Sequence, residues 1–156
     1  MNVFLVGPMG SGKSAVGRQL AQRLALEFID SDAEIEARTG VDIAYIFERE
    51  GEAGFRSREA EVIDALSRRD RVLVSTGGGA ILDASTRERL RARGRVVYLR
   101  TSVDQQLART RRSNDRPLLD NPDPRGTLER LYEQRTPLYT EVAEIVVDTD
   151  GRKVKT

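Results

Sequence analysis

Gly7-Pro8-Met9-Gly10-Ser11-Gly12-Lys13-Ser14 sits between an apolar run, Val3-Phe4-Leu5-Val6, and a segment with Val16, Leu20 and Leu24 at helical spacing. The stretch matches G-x-x-x-x-G-K-[ST] at every fixed position, in the strand–loop–helix context that gives the pattern its meaning. Such a loop turns consecutive backbone N–H groups inward onto phosphate oxygens, and its glycines permit positive φ and close approach. The helix starting near Lys13 adds the positive end of its dipole. Lys13 supplies a mobile cation for the β- and γ-phosphates, and Ser14 a hydroxyl for Mg²⁺. Nucleoside triphosphate binding follows from this stretch; a reaction does not.

Outward from the loop, strand-like and helix-like segments alternate. Strand candidates are Asn2–Val6, Glu27–Asp30, Arg71–Ser75, Arg95–Leu99 and Glu144–Asp148. Helical spacing covers Lys13–Leu26, and Ser31-x-x-Glu34 reads as a capping box that opens a helix ending near Gly40. A short helix capped by Asp42 and a longer one from about Ala53 to Arg68 are separated by Gly51. Ser85-x-x-Glu88 and Ser102-x-x-Gln105 predict two more helix starts. Asp123-Pro124 and Thr136-Pro137 each place proline at an expected first helical position. Short, nearly all-apolar strands separated by helices predict a parallel sheet covered on both faces. The chain ends eight residues beyond the last strand candidate, where such a fold usually adds a covering helix, so a truncated or partly disordered C-terminus is expected.

Composition narrows the chemistry. The 156 residues contain no Cys, His or Trp, which excludes thiol nucleophiles, Ser-His-Asp triads and His or Cys metal sites. Any metal must rest on oxygen ligands, favouring Mg²⁺ or Ca²⁺ over zinc. A length near that of one average domain predicts a single domain. A net charge of +1 is too even for a bulk nucleic-acid binder. It is unevenly spread: residues 1–80 hold 10 basic and 13 acidic side chains, residues 81–156 hold 16 and 12. Of the 26 basic residues only Lys13, Lys153 and Lys155 are lysines. No apolar run approaches a membrane span and no signal-like N-terminus is present, so neither membrane nor nucleic acid is an expected partner and a cytoplasmic location is expected.

Missing motifs narrow the class further. There is no Asn-Lys-x-Asp to read guanine, and Val72–Ser75 ends in Ser-Thr-Gly-Gly-Gly rather than a Walker-B Asp. A small kinase with a small acceptor is the leading reading; a nucleotide-binding switch without transfer is the alternative. Asp30 and Asp32 flank Ser31 at the carboxyl end of the second strand, where open parallel sheets collect ligands. Asp30 is placed to bind Mg²⁺, directly or through water. Asp32 either accepts hydrogen bonds from substrate hydroxyls or only complements a helix dipole. Gly77-Gly78-Gly79 costs backbone entropy that makes sense where main chain touches a ligand.

The ordered set Gly7-x-x-Gly-Ser-Gly-Lys-Ser14, Asp30-Ser-Asp32, Phe55-Arg56-x-x-Glu59, Gly77-Gly-Gly79, Arg116-Pro-Leu-Leu119 and Arg135-x-Pro-Leu-Tyr139 resembles the shikimate kinase family of nucleoside-monophosphate-kinase-like P-loop kinases, over nearly the whole chain. The resemblance implies a three-layer αβα fold with a five-stranded parallel sheet in the order 2-3-1-4-5. It also implies a mobile lid at about 112–124 and a substrate-binding helical region at about 31–68. It implies transfer of phosphate from ATP to the 3-hydroxyl of shikimate, with Mg²⁺, in aromatic amino acid biosynthesis. A monomer is expected.

By resemblance, Asp32, Arg56, Gly78, Gly79 and Arg135 form the shikimate site, the two arginines gripping the carboxylate and Asp32 orienting or deprotonating the nucleophile. Gly10, Ser11, Gly12, Lys13, Ser14, Ala15, Arg109, Arg116 and Arg152 form the nucleotide site, and Ser14 and Asp30 the Mg²⁺ positions. Lys13, Asp32 and Arg116 are the expected catalytic set, Arg116 being the lid arginine. The side-chain chemistry is compatible, because planar Arg forks suit carboxylates. A gluconate-like acceptor, also a hydroxylated carboxylate, is the nearest rival substrate.

Overall fold

The central strand β1 (Val3–Val6) has no polar side chain, and all four of its residues are buried. A strand apolar on both faces needs cover on both, and β1 takes the middle of the sheet. The computed structural model describes residues 1–110 and 123–149. Within them the order is β1, α1 (Lys13–Leu24), β2 (Glu27–Asp30), α2 (Ser31–Thr39), α3 (Ile43–Ser67), β3 (Val72–Ser75), a 3₁₀ turn (Ala80–Leu82), α4 (Ala84–Arg93), β4 (Arg95–Arg100), α5 (Val103–Thr110), α6 (Pro124–Val142) and β5 (Ile145–Asp148). The strands form one sheet, β2-β3-β1-β4-β5, with every neighbouring pair parallel. The expected α/β fold and strand order are observed. No described helix is long and apolar enough to cross a membrane.

Alternation along β1 divides the core. Phe4 and Val6 join Ile63, Leu66, Ile81, Leu90 and Tyr139 on the face covered by α3, α4 and α6. Val3 and Leu5 join Leu73, Ala21 and Leu20 on the face covered by α1. The two ends of the sheet differ as well. At the amino end Asn2 is buried; its Nδ2 donates to the Arg69 carbonyl at 2.8 Å, and its Oδ1 accepts from the Val72 N–H at 3.1 Å. At the carboxyl end β1, β2 and β3 run into the phosphate loop, Asp30 and the glycine triplet.

Three local expectations are corrected. Asp30, not Ser31, caps α2: its carboxylate accepts from the N–H groups of Asp32 and Ala33 at 2.9 and 3.2 Å. Ser31 is then the first helical residue, buried, with its hydroxyl accepting from Gly77 N–H at 3.2 Å. Asp83 rather than Ser85 caps α4, accepting from both the N–H and the hydroxyl of Thr86 at 2.9 Å. Pro137 does not start a helix but lies inside α6. Proline there removes one backbone donor, and since Pro137 and Glu133 are both exposed, water can serve the carbonyl left over. The two helices expected on either side of Gly51 run end to end as α3, interrupted at Gly51, whose φ of 72° and ψ of −179° are not helical.

Candidate active site

The loop between β1 and α1 is shaped by glycine. Gly10 and Gly12 have φ of 78° and 85°, in the left-handed region, and Gly12 is the N-cap of α1. Lys13 folds back over the loop, its Nζ donating to the carbonyls of Gly7 at 2.6 Å and Pro8 at 2.9 Å. Gly10 to Ala15 line a cleft of about 330 Å³, together with Asp30, Asp32, Gly77, Gly78 and Arg109. The residues predicted from the loop motif and from the strand ends therefore share one space.

Ser14 and Asp30 meet directly, the Ser14 hydroxyl donating to Asp30 Oδ2 at 2.9 Å. Because the other carboxylate oxygen caps α2, the Asp30 side chain is held in place from both sides. The pair offers only oxygen donors. Among the described residues no group of three or more His, Cys, Asp or Glu side chains could hold a metal alone. A cation at this pair would complete its shell with water and phosphate oxygens, which is how Mg²⁺ is usually held. The donor set fits Mg²⁺.

Beside the cleft the glycine triplet meets the charged side chains. A Cβ on Gly77 would lie 2.7 Å from Glu59 Oε2 and 2.9 Å from Asp32 Oδ1, so both carboxylates close on that bare backbone. A Cβ on Gly79 would collide with the Arg56 guanidinium, and one on Gly78 would stand 3.6 Å from Arg135 Nη1. The Gly78 carbonyl accepts a hydrogen bond from the buried Tyr139 hydroxyl. Burial pushes that phenol far above its ordinary range, so it remains a donor.

Arg56 is clamped by carboxylates: Nη1 reaches Glu59 Oε1 at 2.8 Å and Nε lies 3.5 Å from Glu52 Oε2. Its guanidinium carbon lies 5.2 Å from the centre of the Phe55 ring. Glu59 is only 2% exposed. Burial pushes its carboxyl up to about 7; the neighbouring Arg56 opposes the rise, and the charge of Asp32 adds to it. Arg135 is 4% exposed, and burial draws its guanidinium below the ordinary value. Arg135 Nε has no hydrogen-bond partner among the described residues. A buried cation with an idle donor is costly unless an anion completes it. Arg135 does not line that cleft but borders a small adjoining cavity of about 10 Å³, shared with Met9 and Tyr139.

Arg109 donates to the Gly10 carbonyl at 2.9 Å and to the Thr149 carbonyl at 3.3 Å, tying the loop to the end of β5. Arg116, Arg152 and nearly all of the expected lid lie outside the described residues. Glu59 and Tyr139 join the site without having been expected there. Helical spacing is the signal in the sequence that marks them: Glu59 is three positions from Arg56, Tyr139 four from Arg135.

The sequence profile of the shikimate kinase family matches residues 9–156. A shikimate kinase of Halorhodospira halophila is 60% identical over 153 residues, covering 98% of this chain and 86% of its own. One of Alteromonas mediterranea is 56% identical, covering 99% of this chain and 90% of its own. The structure of Acinetobacter baumannii shikimate kinase in complex with shikimate superposes with a TM-score of 0.96 at 51% identity, covering 99% of this chain and 86% of that one.

Proposed function

The chain belongs to the shikimate kinase family, and from that premise we propose that it transfers the γ-phosphoryl group of ATP to the 3-hydroxyl of shikimate, giving shikimate 3-phosphate and ADP. The observation that carries this reading is the buried, incompletely paired Arg135 beside the clamped Arg56 and the glycine triplet, next to a phosphate loop. Two guanidinium groups held at one wall suit a small carboxylate.

In this mechanism Gly10 to Ala15 hold the phosphates through backbone N–H groups, and Lys13 moves from its carbonyls to neutralise charge on the β- and γ-phosphates. Arg56 and Arg135 bind the acceptor carboxylate. Asp32 orients the attacking hydroxyl and receives its proton as the new O–P bond forms and the bond from the γ-phosphorus to the β–γ bridging oxygen breaks. Ser14 and Asp30 would hold Mg²⁺, which supplies charge stabilisation for the transferring phosphoryl group. Arg109 and Arg152 serve the nucleotide side. Arg116 reaches the transferring phosphate from a lid at about 112–124, with the acceptor held by the region at about 31–68. A lid fits this chemistry because an open site would let water take the phosphate. The enzyme acts as a cytoplasmic monomer.

A coupled ADP-release assay with shikimate and gluconate tests the acceptor. Turnover of shikimate is expected, and turnover of gluconate alone rejects the assignment. Arg116→Ala is expected to lower kcat by on the order of 10²-fold or more. A change confined to KM would contradict the lid role.

A further inference from the structure

Two donors on one face of α5 reach the phosphate loop. Gln106 is buried, and its Nε2 donates to the Met9 carbonyl at 2.9 Å. Arg109, three positions on, donates from Nη1 to the Gly10 carbonyl at the same distance. Positions i and i+3 share a helix face, so one rigid element addresses two consecutive carbonyls.

The planar trans peptide turns this into a statement about phosphate binding. In the unit joining Met9 to Gly10, the Met9 carbonyl and the Gly10 N–H point in opposite directions. Drawing the carbonyl toward α5 therefore turns the N–H away from α5. The same holds for the Gly10 carbonyl and the Ser11 N–H. Gly10 and Ser11 both line the cleft. Gly10 has φ of 78°, and a glycine has little intrinsic preference for one orientation of its peptide planes. The two preceding carbonyls, Gly7 and Pro8, are held by Lys13, whose ammonium must also serve the phosphates. Gln106 carries no charge that a phosphate would draw away.

We propose that Gln106 is a positioning residue for the nucleotide: with Arg109 it forms a two-point clamp that fixes the Gly10 and Ser11 N–H groups toward the phosphates of a nucleoside di- or triphosphate. The proposal rests on the nucleotide half of the reading above and is independent of the acceptor. Gln106 also borders the cavity shared with Thr136 and Arg135, so a side chain that merely packed there would disturb the arginine side as well.

The test is Gln106→Leu, which removes the donor at similar volume, and Gln106→Glu, which keeps the shape and replaces the donor with an acceptor. Affinity for Mg·ADP is measured by calorimetry, KM for ATP and for shikimate by turnover, and the ADP-induced shift of the Gly10 amide proton by NMR. Loss of one oriented hydrogen bond predicts ADP affinity and ATP KM weakened about tenfold in Gln106→Leu and at least as much in Gln106→Glu. Shikimate KM is expected to stay within about twofold, and the Gly10 amide shift on ADP binding to shrink. If Gln106→Leu does not fold, Gln106→Glu and Gln106→Met carry the same comparison. Wild-type ADP affinity in a folded variant overturns the clamp. So does a parallel rise of both KM values with an unchanged Gly10 shift. A wild-type chain that does not bind Mg·ADP overturns the nucleotide reading itself, a different result from loss in the variants alone.

Discussion

The nucleotide side of the cleft is built mainly on one uninterrupted stretch, Gly7 to Ala15, braced by Gln106 and Arg109 from α5, while the arginine side gathers Asp32, Arg56, Gly79 and Arg135 from four separate places in the chain. The first works mainly through backbone N–H groups, which every residue there carries; it needs glycines, a turn and a helix start. The second works through side chains whose positions exist only after α2, α3 and α6 have packed on the sheet. It is held by buried polar contacts: Glu59 against Arg56, and the Tyr139 hydroxyl on the Gly78 carbonyl. A site with one half built locally and the other half built by tertiary packing should respond to mutation in two separable ways.

The strongest attempt to break that separation is Lys13→Met. It removes the mobile cation, and kcat is expected to fall on the order of 10²- to 10³-fold, as for loss of a transition-state charge partner. Shikimate affinity measured calorimetrically in the same variant should remain within about twofold, since its partners lie elsewhere. A joint collapse would show that the halves are one unit. Next is Arg135→Lys, which keeps the charge and loses the planar fork. Shikimate KM should rise about ten- to hundredfold, with ADP affinity unchanged.

Gly79→Ala sharpens the boundary further, because the nearest atoms to the added methyl are those of the Arg56 guanidinium. An increase of about tenfold in shikimate KM is expected, again with ADP affinity unchanged. The smallest effect concerns Glu59 and pH. Its carboxyl sits at about 7 in the folded chain against 4.5 for the free group. The native state thus keeps a proton that the unfolded chain has released. The stability this proton contributes is complete below about pH 4.5 and is lost as pH rises through about 7. In Glu59→Gln that loss should vanish, so the Tm difference between variant and wild type should grow in the variant's favour by about 5 °C from pH 5 to pH 8. A difference flat across that range would show that Arg56 keeps Glu59 ionised throughout.

The same contrast decides what could be read without a structure. The loop motif and five apolar strands sufficed for the parallel sheet and the cradle, because both are written in contiguous residues. The β2-β3-β1-β4-β5 order came from resemblance, since nothing in Glu27–Asp30 states which strand it pairs with. Helix starts were misread where two capping side chains competed. Ser31 and Ser85 each had a Glu three residues on, but Asp30 and Asp83, one and two positions earlier, held the first N–H groups. Pro137 looked like a helix start because its exposure, which makes it tolerable inside α6, is a property of the packed helix. Glu59 was visible as a motif letter and opaque as a buried acid. Its 2% exposure depends on α3 lying against the glycine triplet, a contact between residues nearly twenty positions apart.

Lys13 is the only lysine among the described residues, and its ammonium rests half-buried on the Gly7 and Pro8 carbonyls inside the cleft. To an acylating reagent that seeks primary amines, the chain offers Lys13, Lys153, Lys155 and the Met1 amine. The arginine-for-lysine bias of the sequence leaves Lys13 the one lysine side chain of residues 1–149, so a peptide from the phosphate loop carries a label that can be read by itself. The rate at which Lys13 is acylated, with Met1 as internal standard, reports occupancy of the nucleotide cleft without any assay of turnover.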